Sequence, residues 1–63
     1  MTDHVTIQCT MTAAEAWSLA QFLKRAGFSE FRAKATDDAE AYDMQTAGIQ
    51  VANALRDAGY APR

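Results

Sequence analysis

The sequence has little of what small proteins use to supplement a hydrophobic core. Its 63 residues include one cysteine, Cys9, and one histidine, His4. A single cysteine excludes an internal disulfide framework, and these two residues do not supply the three or four ligands of a structural zinc site. A domain of this length buries only about 60% of the surface of its unfolded chain. A second copy of the chain is the remaining means of stabilisation, so we expect a homodimer.

Signals for catalysis, cofactors and targeting are also missing. The chain has no glycine-rich phosphate loop and no dinucleotide fingerprint, and Cys9 has no second histidine to act as its base. We therefore expect no enzyme activity, no cofactor and no metal site. MTDHVTIQCT has no basic segment followed by a long apolar run, and the sequence has no run of about 18 apolar residues, so we expect a cytoplasmic protein outside the membrane. A net charge of −2 offers no long-range attraction for nucleic acid.

What the chain does contain is the composition of a folded protein, with 49% hydrophobic and 22% charged residues. In the segment HVTIQCTMT, apolar residues alternate with threonine and glutamine. This alternation predicts a strand with one buried face that includes Cys9. Thr12 and Glu15 have the spacing of a capping box, which predicts a first helix from about Ala13 to Ala26.

A short connection and a second long helix follow. Gly27 is predicted to end the first helix in the left-handed conformation. FSEFRAKA is then a short helical turn with Ser29 as its N-cap. The second helix begins with Thr36 or Asp37 as its cap and ends near Ala58. The closing residues GYAPR are predicted to fold back on the body of the protein.

The predicted fold class is α+β, in a single domain over residues 1–63. One N-terminal strand is followed by two main helices with a short helical turn between them. A lone strand cannot satisfy its own backbone donors and acceptors, so we expect it to pair with its copy in an intermolecular antiparallel ribbon. This topology resembles that of ribbon-helix-helix proteins, which are small dimeric DNA-binding repressors. The resemblance places Thr6, Gln8 and Thr10 against base edges, but the strand has no Arg or Lys, so direct nucleic-acid binding is the weaker prediction.

Each long helix has one apolar stripe that is expected to face the core. In the first helix the stripe is Ala16, Leu19, Ala20, Phe22, Leu23 and Ala26. In the second it is Ala41, Met44, Gly48, Val51, Ala52 and Leu55. A glycine in mid-helix costs about 1 kcal/mol relative to alanine. Gly48 therefore indicates a close backbone approach or a local bend, and for a close approach we expect the ring of Trp17 or Phe22 to pack there.

The first candidate binding surface is on the first helix. Trp17 lies off the apolar stripe, beside Gln21 and Lys24, and Arg25 is the further basic residue of this group. A large aromatic side chain with polar and basic neighbours has the composition of a binding hot spot. The alternative is that Trp17 packs under the second helix or across a dimer.

The second candidate surface is the acidic stretch TDDAEAYD, which contains half of the eight acidic residues of the chain. These residues are Asp37, Asp38, Glu40 and Asp43. They do not share one face of a helix, and no glycine bend separates them as in a calcium loop. Capping and solvation of a helix start explain them. Alternatively, Glu40 and Asp43, three residues apart, present carboxylates to a basic partner.

The combination of AAEAWSLAQFLKRAGFSEFRA, DDAEAYDM and ALRDAGYAPR resembles short uncharacterised proteins of proteobacterial phages, prophages and plasmids. The resemblance extends from about Ile7 to Arg63. It implies a small, acidic, non-enzymatic protein that binds a host protein or ribonucleoprotein complex. Anti-CRISPR inhibitors are similar in size and charge, and some of them present carboxylates where nucleic acid would bind. The leading hypothesis is thus an inhibitor of a host defence complex, and the alternative is a ribbon-helix-helix-like repressor.

Overall fold

The computed structural model describes residues 3–63, and all regular secondary structure in that range is helical. Helix α1 spans Ala13–Arg25, α2 spans Phe28–Lys34 and α3 spans Asp38–Asp57. Within the described range, α1 and α2 each pack against α3 and not against each other. The longest helix is therefore the common surface on which the other two assemble.

The start of α1 is the predicted capping box. The Thr12 hydroxyl accepts a hydrogen bond from the Glu15 N–H at 3.1 Å, and the Glu15 carboxylate accepts one from the Thr12 N–H at 2.7 Å. Each side chain satisfies a backbone donor that has no partner within the helix. The helix ends at Arg25, one residue before the predicted end.

The predicted N-terminal strand is wrong. Residues 3–12 contain no regular secondary structure, and Cys9 is exposed rather than buried. Alternating apolar and polar residues form a strand only when a neighbouring strand supplies backbone partners, and no segment of residues 3–63 does so. The fold is therefore all-α rather than α+β, without the intermolecular ribbon. Thr6, Gln8 and Thr10 consequently have no ribbon to present them to DNA.

The connection between the long helices also differs from the prediction. Gly27 has φ −103° and ψ −178°, which is extended backbone open to any residue, so it is not a left-handed cap of α1. It is instead the N-cap of α2, a helix of seven residues that includes Ser29. The Glu30 carboxylate accepts hydrogen bonds from the Gly27 N–H, at 2.7 Å, and from the Ser29 hydroxyl. A side chain within α2 thus performs the capping that we assigned to Ser29.

The hydrogen bond from Gly27, with a smaller contribution from Ser29, holds the pKa of the Glu30 carboxyl below its ordinary value. A carboxyl pKa that is lower in the folded state stabilises the fold above the unfolded-state pKa. This stabilisation is lost as the pH falls through the folded-state pKa. Because the carboxylate is exposed to solvent, we expect the effect on overall stability to be small.

The end of α3 agrees with the prediction and shapes the C-terminal tail. Of the described residues, only Gly59 has a positive φ, at 102°. The Gly59 N–H donates to the Arg56 carbonyl at 2.9 Å, and the Tyr60 N–H donates to the Leu55 carbonyl at 2.8 Å. This pair of bonds is the Schellman motif, which requires a left-handed residue at its centre. The tail therefore folds back, and Tyr60 packs against the core cluster.

The core is small and consists mainly of alanine. The buried hydrophobic residues are Ala16, Ala20, Ala41 and Leu55. No large side chain in the described range is fully buried. The predicted stripes are correct for these residues but wrong for Phe22 and Val51, which are 57% and 36% exposed. Phe22 remains uncovered because α2 packs on α3 and leaves this side of α1 open.

The predicted close approach at Gly48 is confirmed, but with different partners. A Cβ atom added at this position would lie 3.3 Å from Cζ of Phe31 and 3.4 Å from Cδ2 of Leu23. The ring over the glycine therefore belongs to α2, and neither Trp17 nor Phe22 occupies the position. Gly48 is the point at which side chains from α1 and α2 both reach the backbone of α3.

This contact predicts that Gly48→Ile destabilises the protein. The added side chain must displace Phe31 and Leu23, and overpacking of this kind costs about 1–3 kcal/mol. Ala47→Ile is the matched control, because Ala47 is the exposed neighbour in the same helix. Urea denaturation should show a lower free energy of unfolding for Gly48→Ile only. Equal stability of the two variants would contradict the close approach.

Candidate partner-binding site

Trp17 lies at the surface, packed against the C-terminal tail. Its side chain is 44% exposed. The indole ring meets the ring of Tyr60 edge to face, with 5.2 Å between centroids and 74° between planes. This geometry is favourable for an aromatic pair and restricts the orientation of both rings. Trp17 is therefore held in position by the tail while almost half of it stays open to solvent.

The other residues predicted on this surface follow Trp17 along the same face of α1. Gln21 and Lys24 are four and seven residues further on, and this spacing places side chains side by side on a helix. Gln21 is half-buried and Lys24 is exposed. The structure thus brings together Trp17, Gln21 and Lys24, whereas Arg25 lines a different hollow, which it shares with Gln21.

A hollow of about 170 Å³ lies next to this face, between α1, α3 and the tail. Its apolar lining residues are Ala20, Ala52, Tyr60, Ala61 and Pro62. Its polar lining residues are Lys24, Asn53 and Arg56. The contributions of α3 and the tail have no signal in the sequence of α1, since only the turn at Gly59 brings Tyr60 to Trp17. We call Trp17, Gln21, Lys24, Arg56 and Tyr60 the aromatic–basic face.

The two cations of this face have no ion-pair partner within residues 3–63. The salt bridge in that range joins Nε of Arg32 and Oδ1 of Asp38 at 2.6 Å, in another part of the protein. Lys24 and Arg56 are both exposed. They create a local positive potential on a chain whose net charge is −2.

Most of the acidic stretch is used to start α3. Oδ1 of Asp37 accepts a hydrogen bond from the Glu40 N–H at 2.9 Å, which confirms Asp37 as the N-cap. The Glu40 carboxylate accepts one from the Thr36 N–H at 2.8 Å. Asp38 pairs with Arg32. In the part of the chain that the structure describes, no group of His, Cys, Asp and Glu side chains is arranged to hold a metal ion.

The second candidate surface is remote from the first. Glu40 and Asp43 lie in the first two turns of α3, whereas Arg56 lies in its last turn. At about 1.5 Å of rise per residue, Asp43 and Arg56 are about 20 Å apart along the helix. Asp43 is exposed. The carboxylates and the aromatic–basic face are therefore separate surfaces at opposite ends of α3.

The chain belongs to the family of unknown function DUF7706, whose model matches residues 1–63. No curated protein and no solved structure matches it. Among the helices of the described range, none is long and apolar enough to cross a membrane. Family membership names no activity or partner, so a functional proposal must come from the surface chemistry.

The capping role of the acidic stretch predicts that Asp37→Ala lowers the free energy of unfolding by about 1 kcal/mol, because the Glu40 N–H loses its acceptor. Asp43→Ala is the control, since Asp43 is exposed and lies beyond the first turn. Thermal and urea denaturation measure both changes. Calcium or magnesium should leave the melting temperature of the parent protein unchanged. A metal-dependent rise would instead indicate a cation site.

Proposed function

We propose that the protein is a small, non-enzymatic binding protein whose aromatic–basic face docks onto an acidic surface of a partner protein. The observation that carries this proposal is an exposed, oriented tryptophan beside two cations without ion-pair partners. Trp, Tyr and Arg are the residues enriched at energetic hot spots of interfaces. Trp17, Tyr60 and Arg56 supply all three on one surface.

Rigidity of the face favours binding. Immobilising a flexible side chain at an interface costs about 0.5–1.5 kcal/mol. The ring of Trp17 is already packed against Tyr60, and Tyr60 is itself held by the Schellman turn. Less conformational freedom is therefore lost when a partner covers the two rings.

The charges of the face define the partner. Lys24 and Arg56 require compensating carboxylates, and complementary charge at the rim of an interface raises the association rate. The acidic end of α3 gives less support to binding, because Glu40 is engaged in the helix cap. A protein surface rich in Asp and Glu is thus the partner that this chemistry fits.

In the specific form suggested by the resemblance to phage, prophage and plasmid proteins, the partner is a host protein or ribonucleoprotein complex. The protein then acts in the cytoplasm as an anti-CRISPR-type inhibitor. The support for this form is the small size, the net charge of −2 and the exposed hot-spot residues. The acidic partner surface would belong to a protein subunit of such a complex.

The proposal predicts the effect of Trp17→Ala and of Lys24→Glu combined with Arg56→Glu. A partner is captured from host lysate with the parent protein, purified, and titrated against each variant by calorimetry. Trp17→Ala should weaken binding by about 2 kcal/mol or more, or about 30-fold in Kd. The charge reversal should slow association and reduce its dependence on salt.

Lys34→Glu is the matched control, since Lys34 is an exposed cation at the end of α2, which does not pack against α1. It should bind as the parent does, and circular dichroism should show the same helix content in all variants. Glu40→Lys with Asp43→Lys tests the acidic end in the same titration. If only this last variant loses binding, the acidic end is the site. If no variant loses binding, neither surface is the binding site.

A further inference from the structure

The folded chain exposes more surface than a protein of its size should. Its accessible surface is 5235 Å², whereas a compact monomer of 6.9 kDa exposes about 4,000 Å². The radius of gyration is 12.6 Å, against about 10.6 Å expected for a compact chain of this length. The excess of about 1,200 Å² is larger than the roughly 800 Å² that each partner buries in a standard protein interface.

The reason is the thinness of the molecule. Its shortest dimension is 17 Å, while one helix with its side chains is already about 10–12 Å wide. A slab of this thickness cannot enclose large side chains from both sides. Of the described residues, three alanines and one leucine are buried. Contact with a second molecule would bury more of the large apolar side chains.

The least covered apolar residues lie on the N-terminal arm, residues 3–12. Val5 and Ile7 are 80% and 74% exposed. Beside the arm is a hollow of about 680 Å³, bounded on one side by residues 7–11 and on the other by α3. The residues of α3 and its C-cap that line it are Val51, Ala54, Leu55 and Ala58. An arm with exposed Val5 and Ile7 and an uncharged hollow are therefore adjacent on the same chain.

This arrangement is self-complementary. Around a two-fold axis, the arm of each copy can occupy the hollow of the other, which buries both features at once. None of the residues that line the hollow is charged, so the lining itself contributes no ionised group to the closed contact. Homodimer interfaces are more apolar than transient interfaces, so an uncharged hollow is typical of a homodimer interface.

We infer that the protein is a homodimer in which Val5 and Ile7 of each copy pack into the hollow between the arm and α3 of the other. The contact is side-chain packing against a helix and involves no strand pairing. The interface differs from the aromatic–basic face, and the two hollows share only Tyr60. This inference does not depend on the proposed function, because it concerns a different surface and a different partner.

Sedimentation equilibrium of the full chain at micromolar concentrations tests the inference. The parent protein should have twice the mass of one chain, 6.9 kDa. Ile7→Asp places a charge in the buried contact and should halve the measured mass. Thr6→Asp is the matched control: it adds the same charge to the exposed neighbouring residue and should remain dimeric. A monomeric parent, a dimeric Ile7→Asp or a monomeric Thr6→Asp would each overturn the proposed interface.

Two further measurements on the parent protein test dimer formation even if Ile7→Asp does not fold. The melting temperature of a dimer rises with protein concentration, and that of a monomer does not. Cys9 is exposed in the single chain and lines the hollow, so its alkylation by a thiol reagent should slow as the concentration rises. A melting temperature and an alkylation rate that are both independent of concentration would refute the dimer.

Discussion

The close approach at Gly48 is the contact on which the rest of the structure depends. Phe31 of α2 and Leu23 of α1 both come within 3.4 Å of the position that a Cβ would occupy. A side chain larger than that of alanine would have to displace Phe31 and Leu23. The glycine lowers helix propensity by about 1 kcal/mol, but it lets two helices share one surface of α3.

Assembly around so small a core leaves apolar surface on the outside, and charge distinguishes its two regions. The aromatic–basic face combines two rings with two cations, which suits a partner that arrives already folded and brings carboxylates. The hollow beside the N-terminal arm has no charged lining residue, which suits permanent burial against an identical chain. One thin molecule can thus offer separate surfaces for self-association and for a second protein.

The acidic residues illustrate how a pattern that suggests chemistry can have a structural explanation. At the start of each of the three helices in residues 3–63, a carboxylate accepts a hydrogen bond from a backbone N–H three residues away in sequence. The acceptors are Glu15 for α1, Glu30 for α2 and Asp37 for α3. Glu40 adds a further bond to Thr36 at the start of α3. In a protein with short helices and little buried surface, these caps replace part of the stabilisation that a larger core supplies.

The sequence by itself determined the start of α1 at Thr12, the start of α3 at Thr36 or Asp37 and the end of α3 before Gly59. These signals act within five residues, so they need no information from the rest of the chain. Only the tertiary structure decided that HVTIQCTMT is not a strand, that Phe31 rather than Trp17 covers Gly48, and that Tyr60 joins the aromatic–basic face. Each of these outcomes depends on which distant segment supplies a backbone partner or a packing surface. A periodic pattern indicates that a residue packs against an apolar neighbour, but it does not identify that neighbour.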